Sequence, residues 1–162
     1  MQIEDATDED IPEIVAIYND VIATTTAVFS EQPVTVEERR AWLRARRGRS
    51  QPVVVARDAG VVVGFASYGE FRPWPGYDSS VEHSVHVAAG HRRRGAGRLL
   101  VEEVIARARQ AGKHVLVAGV DAENAASLAL HEGLGFREVG RMPQIARKFG
   151  RWIDLVLLQR SL

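Results

Sequence analysis

The sequence predicts a single α/β domain built around a mixed sheet. Apolar runs of strand length alternate with amphipathic stretches of helical period through the middle of the chain. A hairpin signal precedes them, with Arg57-Asp58-Ala59-Gly60 separating Val53 to Ala56 from Val61 to Tyr68. The chain has 162 residues, enough for one core that buries roughly 70% of the unfolded surface.

Each element follows from local chemistry. Gln2 to Ala6 reads as a strand, and Thr7-Asp8-Glu9-Asp10 with Pro12 suits a helix N-terminus, where acidic side chains meet unpaired N–H donors. Ile14, Val15, Ile17, Tyr18, Val21 and Ile22 supply that helix with its apolar stripe. Thr35 and Glu38 form a capping-box pattern for a second helix over Val36 to Arg47. After the hairpin, Phe71-Arg72-Pro73-Trp74-Pro75-Gly76-Tyr77 is a loop, because its prolines remove ladder donors. Val81 to Ala88 is the next strand. The helix after it carries Leu100, Val101, Val104, Ile105 and Ala108 on one face and ends at Gly112. Val115 to Val120 is an unbroken apolar strand, Asn124 caps a helix over Ala125 to Glu132, and two strands cover Arg137 to Met142 and Trp152 to Gln159. The chain shows no repeat, linker or low-complexity tract.

Composition narrows the function. Lys and Arg number 21 against 21 Asp and Glu, so the chain lacks the broad basic surface that grips nucleic acid through many phosphates. Without cysteine it has no disulfide, thiolate metal site or cysteine nucleophile, and any group transfer goes directly to the acceptor or through another residue type. The first residues lack the basic and apolar regions of a signal peptide, and no apolar run reaches the roughly 20 residues of a membrane span. A soluble, cytoplasmic protein without membrane partners is expected. His83 and His86 are three apart on a strand, so they point to opposite faces and make a poor metal pair. No metal site is expected.

The segment from Ser84 to Ile105 carries the strongest signal. A strand turns through Arg92-Arg93-Arg94-Gly95-Ala96-Gly97 into an amphipathic helix. Glycines let backbone N–H groups approach an anion, and the helix presents its unpaired donors to the same point. The loop lacks the Lys-Ser/Thr ending of a P-loop, and its glycines are too close for the dinucleotide fingerprint.

Further candidates lie on either side. Asn124, Ser127 and His131 fall on one helix face. Strand alternation puts Glu82, Ser84 and His86 on one side of the sheet, with Glu82 a candidate general base for an amine nucleophile. Imidazole moves protons near neutral pH, so His131 is a candidate relay for Glu82 or acid for a leaving group. Arg72 offers a planar fork suited to a carboxylate, and Phe71, Trp74, Tyr77 and Phe29 can wall a small pocket, a combination suited to an amino acid.

Arg92, Gly95 and Gly97 match the Arg/Gln-x-x-Gly-x-Gly/Ala signature, and the chain resembles the GCN5-related N-acetyltransferases (GNAT) over almost its whole length. The resemblance implies a mostly antiparallel sheet whose two central strands splay apart to admit the pantetheine arm of acetyl-CoA. It implies pyrophosphate held by Arg93, Arg94, Gly95, Ala96, Gly97 and Arg98, and pantetheine amides held by Val85, His86 and Val87. The run N-A-A-S-L-A-L-H-E-G-L-G-F from Asn124 to Phe136 resembles a family segment in which a tyrosine protonates the CoA thiolate; His131 replaces it, and Asn124 and Ser127 are expected to line the cofactor. V-E-H-S-V-H-V and M-P-Q-I-A-R-K-F-G-R-W-I-D-L narrow the resemblance to the phosphinothricin acetyltransferase branch, nearest to members acting on L-methionine sulfoximine and sulfone.

By this resemblance Arg72, Pro73, Trp74, Glu82, His83 and Ser84 contact an amino-acid-like substrate, and the enzyme is a homodimer whose partner reaches the pocket near Lys148 to Trp152. The loop F-R-P-W-P-G-Y departs from the W-K-A-R type of the phosphinothricin enzymes. Acetylation of an aminoglycoside or a protein N-terminus, and noncatalytic sensing of acyl-CoA, are the alternatives.

Overall fold

The computed structural model describes all 162 residues. Seven strands form one sheet in the order β1-β2-β3-β4-β5-β7-β6. They are β1 (Gln2–Asp5), β2 (Val53–Asp58), β3 (Val61–Glu70), β4 (Ser80–Val87), β5 (Val115–Asp121), β6 (Arg137–Lys148) and β7 (Arg151–Ser161). Four helices accompany them: α1 (Ile11–Thr24), α2 (Val36–Gly48), α3 (Ala96–Gln110) and α4 (Ala125–Glu132). Every neighbouring pair is antiparallel except β4–β5, the one parallel contact.

That parallel pair holds the key to the site. Its register covers only Ser80, Val81 and Glu82 against Val115, Leu116 and Val117. Beyond it β4 stays with β3 as far as Val87, while β5 stays with β7 as far as Asp121. The two strands therefore part after Glu82, and backbone groups facing the gap have no ladder partner there.

Side-chain alternation feeds two cores. Val81 of β4 and Leu116, Ala118 and Val120 of β5 pack with Leu100, Val101, Val104 and Ile105 of α3. On the other face, Val55 and Phe65 pack with Ile11, Ile14 and Ile17 of α1 and Leu43 of α2. Each fully buried aliphatic side chain contributes about 1.5–3 kcal/mol, so the gap is spanned by two rigid half-sheets.

The helix ends use the caps the sequence carries. Glu38 N–H donates to Thr35 Oγ1 at 3.1 Å and Thr35 N–H donates to Glu38 Oε2 at 2.7 Å. Ser127 N–H donates to Asn124 Oδ1 at 3.1 Å, and Gly112 follows α3 in the left-handed region at φ +68°. Two boundaries differ from expectation. Thr7 to Asp10 form a capping box ahead of a 3₁₀ turn, and α1 starts at Ile11. β6 does not stop at Met142: it passes Pro143 by shifting register between Met142 and Ala146, which accommodates a residue lacking a donor. Phe149 and Gly150, both at positive φ, then close a tight hairpin to β7.

Candidate active site

The gap between β4 and β5 opens into a cleft of about 830 Å³. Val85, His86 and Val87 line one wall, and Ala118, Gly119 and Val120 the other. It reaches the start of α3 and the cleft-facing side of α4 through the half-buried Asn124 and Ser127 and the buried His131.

At the α3 end, Gly95 is the N-cap at φ +91°, and no side chain caps the helix. The first turn contains no acidic residue, so the donors of Ala96, Gly97 and Arg98 have no partner within the helix. Arg93 also sits in the left-handed region at φ 61°, and Arg92 Nε donates to Val87 carbonyl at 3.2 Å, tying the loop to the strand end. Consecutive N–H groups at such a turn form a concave anion site. Gly95 is required for its backbone conformation. At Gly97 an added Cβ would meet Leu130 at 3.5 Å, an ordinary contact. Of the predicted anion contacts, Arg93, Gly95, Gly97 and Arg98 line the cleft. Arg94 does not, and the Ala96 methyl lies in the core.

Where the strands part, Glu82 points toward β5. A Cβ at Gly119 would stand 3.2 Å from Glu82 Oε1. Partial burial pushes the carboxyl above the usual range, and the Arg72 charge pulls it partly back. Glu82 makes no salt bridge, which leaves its oxygens for a ligand.

His131 is engaged elsewhere. Its Nδ1 lies 2.7 Å from Ser127 carbonyl and its Nε2 lies 3.1 Å from His83 Nε2. A carbonyl only accepts, so Nδ1 of His131 carries the proton. In the neutral ring Nε2 then accepts, and His83 donates from Nε2. Burial holds His83 down to about 3 and pushes His131 below its ordinary value, so both rings are neutral near pH 7. The structure brings His131 to His83 and Ser127, with no hydrogen bond to Glu82. His86 lies on the opposite face among Tyr18 and Phe65, with its ring held down to about 4 by burial.

The prolyl-aromatic loop packs largely on itself. Arg72 Nη1 donates to Phe71 carbonyl at 2.8 Å, its guanidinium lies 4.3 Å from the Phe71 ring, and Phe71 meets Tyr77 edge-on at 5.7 Å. Pro73 is exposed and Trp74 is 70% exposed, while Phe29 is 38% exposed on the α1–α2 connection and joins no aromatic pair. Ser84 is exposed to the cleft.

Three residues escape a reading of the sequence. Gly119 makes room for Glu82 within an apolar run that carries no such signal. Asp121 is buried at the end of β5 and accepts from the Thr26 hydroxyl and, at 2.9 Å, from Glu123 N–H, so it anchors the α1 loop to the cleft. Lys148 is 1% exposed; its Nζ donates to the carbonyls of Thr25 and Val28 at 2.6 and 2.8 Å. A lysine on an alternating strand ordinarily reads as solvated.

Residues 14–136 match the family model described as Acetyltransferase (GNAT) family. The chain belongs to that family. It is 48% identical over 161 residues to the L-methionine sulfoximine/L-methionine sulfone acetyltransferase of Pseudomonas paraeruginosa, covering 99% of this chain and 94% of the relative. The ribosomal-protein-alanine N-acetyltransferase structure from Brucella melitensis superposes with TM-score 0.99 at 48% identity, over the full length of both chains. The phosphinothricin acetyltransferase of Sinorhizobium meliloti, solved in complex with acetyl-CoA, superposes with TM-score 0.97 at 31% identity, over 99% of this chain and 88% of that one. This GNAT chain is thus an acetyl-CoA-dependent N-acetyltransferase with the expected single-domain fold. No helix is long and apolar enough to cross a membrane.

Proposed function

We propose that the enzyme moves acetyl from acetyl-CoA to the α-amine of a small amino-acid analogue, with L-methionine sulfoximine and L-methionine sulfone as acceptors and phosphinothricin as a further one. The observation that carries this reading is the unpaired, half-buried Glu82 carboxylate where β4 and β5 separate. Attack requires an amine lone pair, and a base with a raised pKa takes the proton at near-neutral pH. Glu82 does so directly or through one water. Arg72, whose charge acts on Glu82, would turn its fork to the acceptor carboxylate.

The donor would lie with its pyrophosphate on the Arg93 to Arg98 turn and its pantetheine arm against Val85 to Val87. The fit rests on the capless helix start, the left-handed Gly95 and Arg93, and the open strand fork. His131, a neutral ring near pH 7, would serve as acid for the CoA thiolate or as relay for Glu82. The substrate contacts assigned to Phe29, Pro73, Trp74, His83 and Ser84 belong to the same proposal.

A homodimer completes it. Val139, Met142, Ile145, Phe149 and Trp152 are 41–60% exposed along the β6–β7 hairpin, while Phe149 and Arg151 also line the cleft. A partner packed on that apolar hairpin would cover the acceptor side of the cleft.

The resemblance to the Brucella structure favours one second reading, the α-amine of a protein N-terminal alanine. Thiol release should be measured with acetyl-CoA against methionine sulfoximine, methionine sulfone, phosphinothricin, ordinary amino acids, alanine-initiated peptides and an aminoglycoside, with mass spectrometry of each product. Turnover of the analogues with an acetylated α-amine is the expected result. Turnover confined to the peptides would replace it with the second reading, and silence with acetyl-CoA bound would leave an acyl-CoA sensor.

A further inference from the structure

We infer that His83 is a positioning residue whose hydrogen bond to His131 keeps that imidazole from attacking the acyl donor. The cleft lining includes both residues beside the proposed thioester path, while the ring of His86, the third histidine of that lining, packs among Tyr18 and Phe65. A neutral imidazole lone pair is a competent nucleophile toward a thioester. In an enzyme that transfers acetyl directly to an acceptor, such a free lone pair opens a route to donor hydrolysis.

The geometry hides both. The Nδ1 proton of His131 is donated to Ser127 carbonyl at 2.7 Å, and its Nε2 lone pair accepts from His83 Nε2–H at 3.1 Å. The remaining lone pair of the pair is on His83 Nδ1, which is fully buried and touches no hydrogen-bond partner. Phe136 packs 5.5 Å from the His83 ring and edge-on 5.1 Å from the His131 ring, fixing both orientations. An orphaned buried nitrogen destabilises the fold, typically by more than a satisfied one, and the arrangement places it where it cannot reach the donor.

The suppressed reaction balances with water as the only co-reactant. The Nε2 lone pair of His131 would form a bond to the thioester carbonyl carbon as the C–S bond breaks and CoA leaves as thiolate. Water then cleaves the acetylimidazolium: its hydroxyl joins the acetyl group, its proton goes to the sulfur, and the ring returns neutral. The net products are acetate and free CoA.

This inference rests on the acetyl-CoA reading of the cleft, so the test separates the two. Thiol release from acetyl-CoA is followed in the intact protein without any acceptor. His83→Leu, which frees the Nε2 lone pair, should raise this leak about tenfold, the rate equivalent of one hydrogen bond. In the same assay His83→Gln, whose carboxamide N–H reaches the same position, should stay near the wild-type leak, and His83→Leu combined with His131→Phe should return to it. Nitrogen-15 NMR of the wild-type protein should show His131 protonated at Nδ1 alone. Protonation of His131 at Nε2, or equal leaks in His83→Leu and His83→Gln, would overturn the inference. Should His83→Leu not fold, the wild-type tautomer decides. Absence of acetyl-CoA binding by calorimetry would instead sink the donor assignment, with the tautomer result standing.

Discussion

Gly119 lies across the strand gap from Glu82, so close that a methyl group there would press on Glu82 Oε1 at 3.2 Å. The base and the residue that makes room for it sit on strands that hydrogen-bond only below this point. Gly119→Ala should therefore displace the carboxylate and lower kcat several-fold while acetyl-CoA affinity holds. Glu82→Gln should remove most turnover with the donor still bound. Calorimetry beside steady-state kinetics checks both, and a normal kcat in Glu82→Gln would remove Glu82 from the mechanism.

Glu82 also predicts a pH profile. Burial raises its pKa, and the base form is the carboxylate, so kcat/KM should fall as pH drops through that raised value. Arg72 pulls the pKa down, so Arg72→Ala should move the acidic limb to higher pH. A limb that moves to lower pH contradicts the assignment.

The turn before α3 predicts an order among variants. Gly95→Val forces a β-branched residue to φ +91° and should weaken acetyl-CoA binding more than Arg94→Ala, whose exposed charge contributes roughly 0.3–1 kcal/mol at a helix end. Equal dissociation constants would refute a backbone cradle.

Stability should carry a histidine signature. Burial depresses His86 from 6.5 to about 4, so between those values the unfolded chain binds the proton that the folded chain refuses. Stability is thus complete above 6.5 and falls with pH by up to about 1.4 kcal/mol per unit for such a ring. His86→Phe keeps an aromatic ring and should gain on the wild type as pH drops from 6.5 toward 4 in denaturant titrations. A constant difference across that range would show that His86 titrates normally.

Lys148 predicts a coupling between hairpin and loop. Lys148→Met leaves the part-buried carbonyls of Thr25 and Val28 without their donor, at about 1 kcal/mol for each. Lower thermal stability and a raised acceptor KM, with donor affinity unchanged, are the expected results. An unaltered acceptor KM would confine Lys148 to stability.

Much of the fold was legible because its signals are local. Thr35 and Glu38 cap α2 with their own backbone, Asn124 caps α4, and the stripe from Leu100 to Ala108 packs as its period requires. β6 was less legible, since Pro143 reads as a strand end and only the register shift opposite β7 lets the strand run on to Lys148. In the site, the glycine-rich turn after β4 could be read directly, and strand parity correctly set His83 and His86 on opposite faces.

By itself the sequence determined the order of elements, their caps, the glycine-rich turn after β4 and which residues of β4 share a face, because these depend on neighbours along the chain. Only the tertiary structure decided that β4 and β5 part after Glu82, that Gly119 opens space beside it, that Lys148 turns inward, and that His131 pairs with His83. Those relationships join residues from 35 to 123 positions apart, and their energy comes from burial and hydrogen bonds that exist only once the two half-sheets are packed.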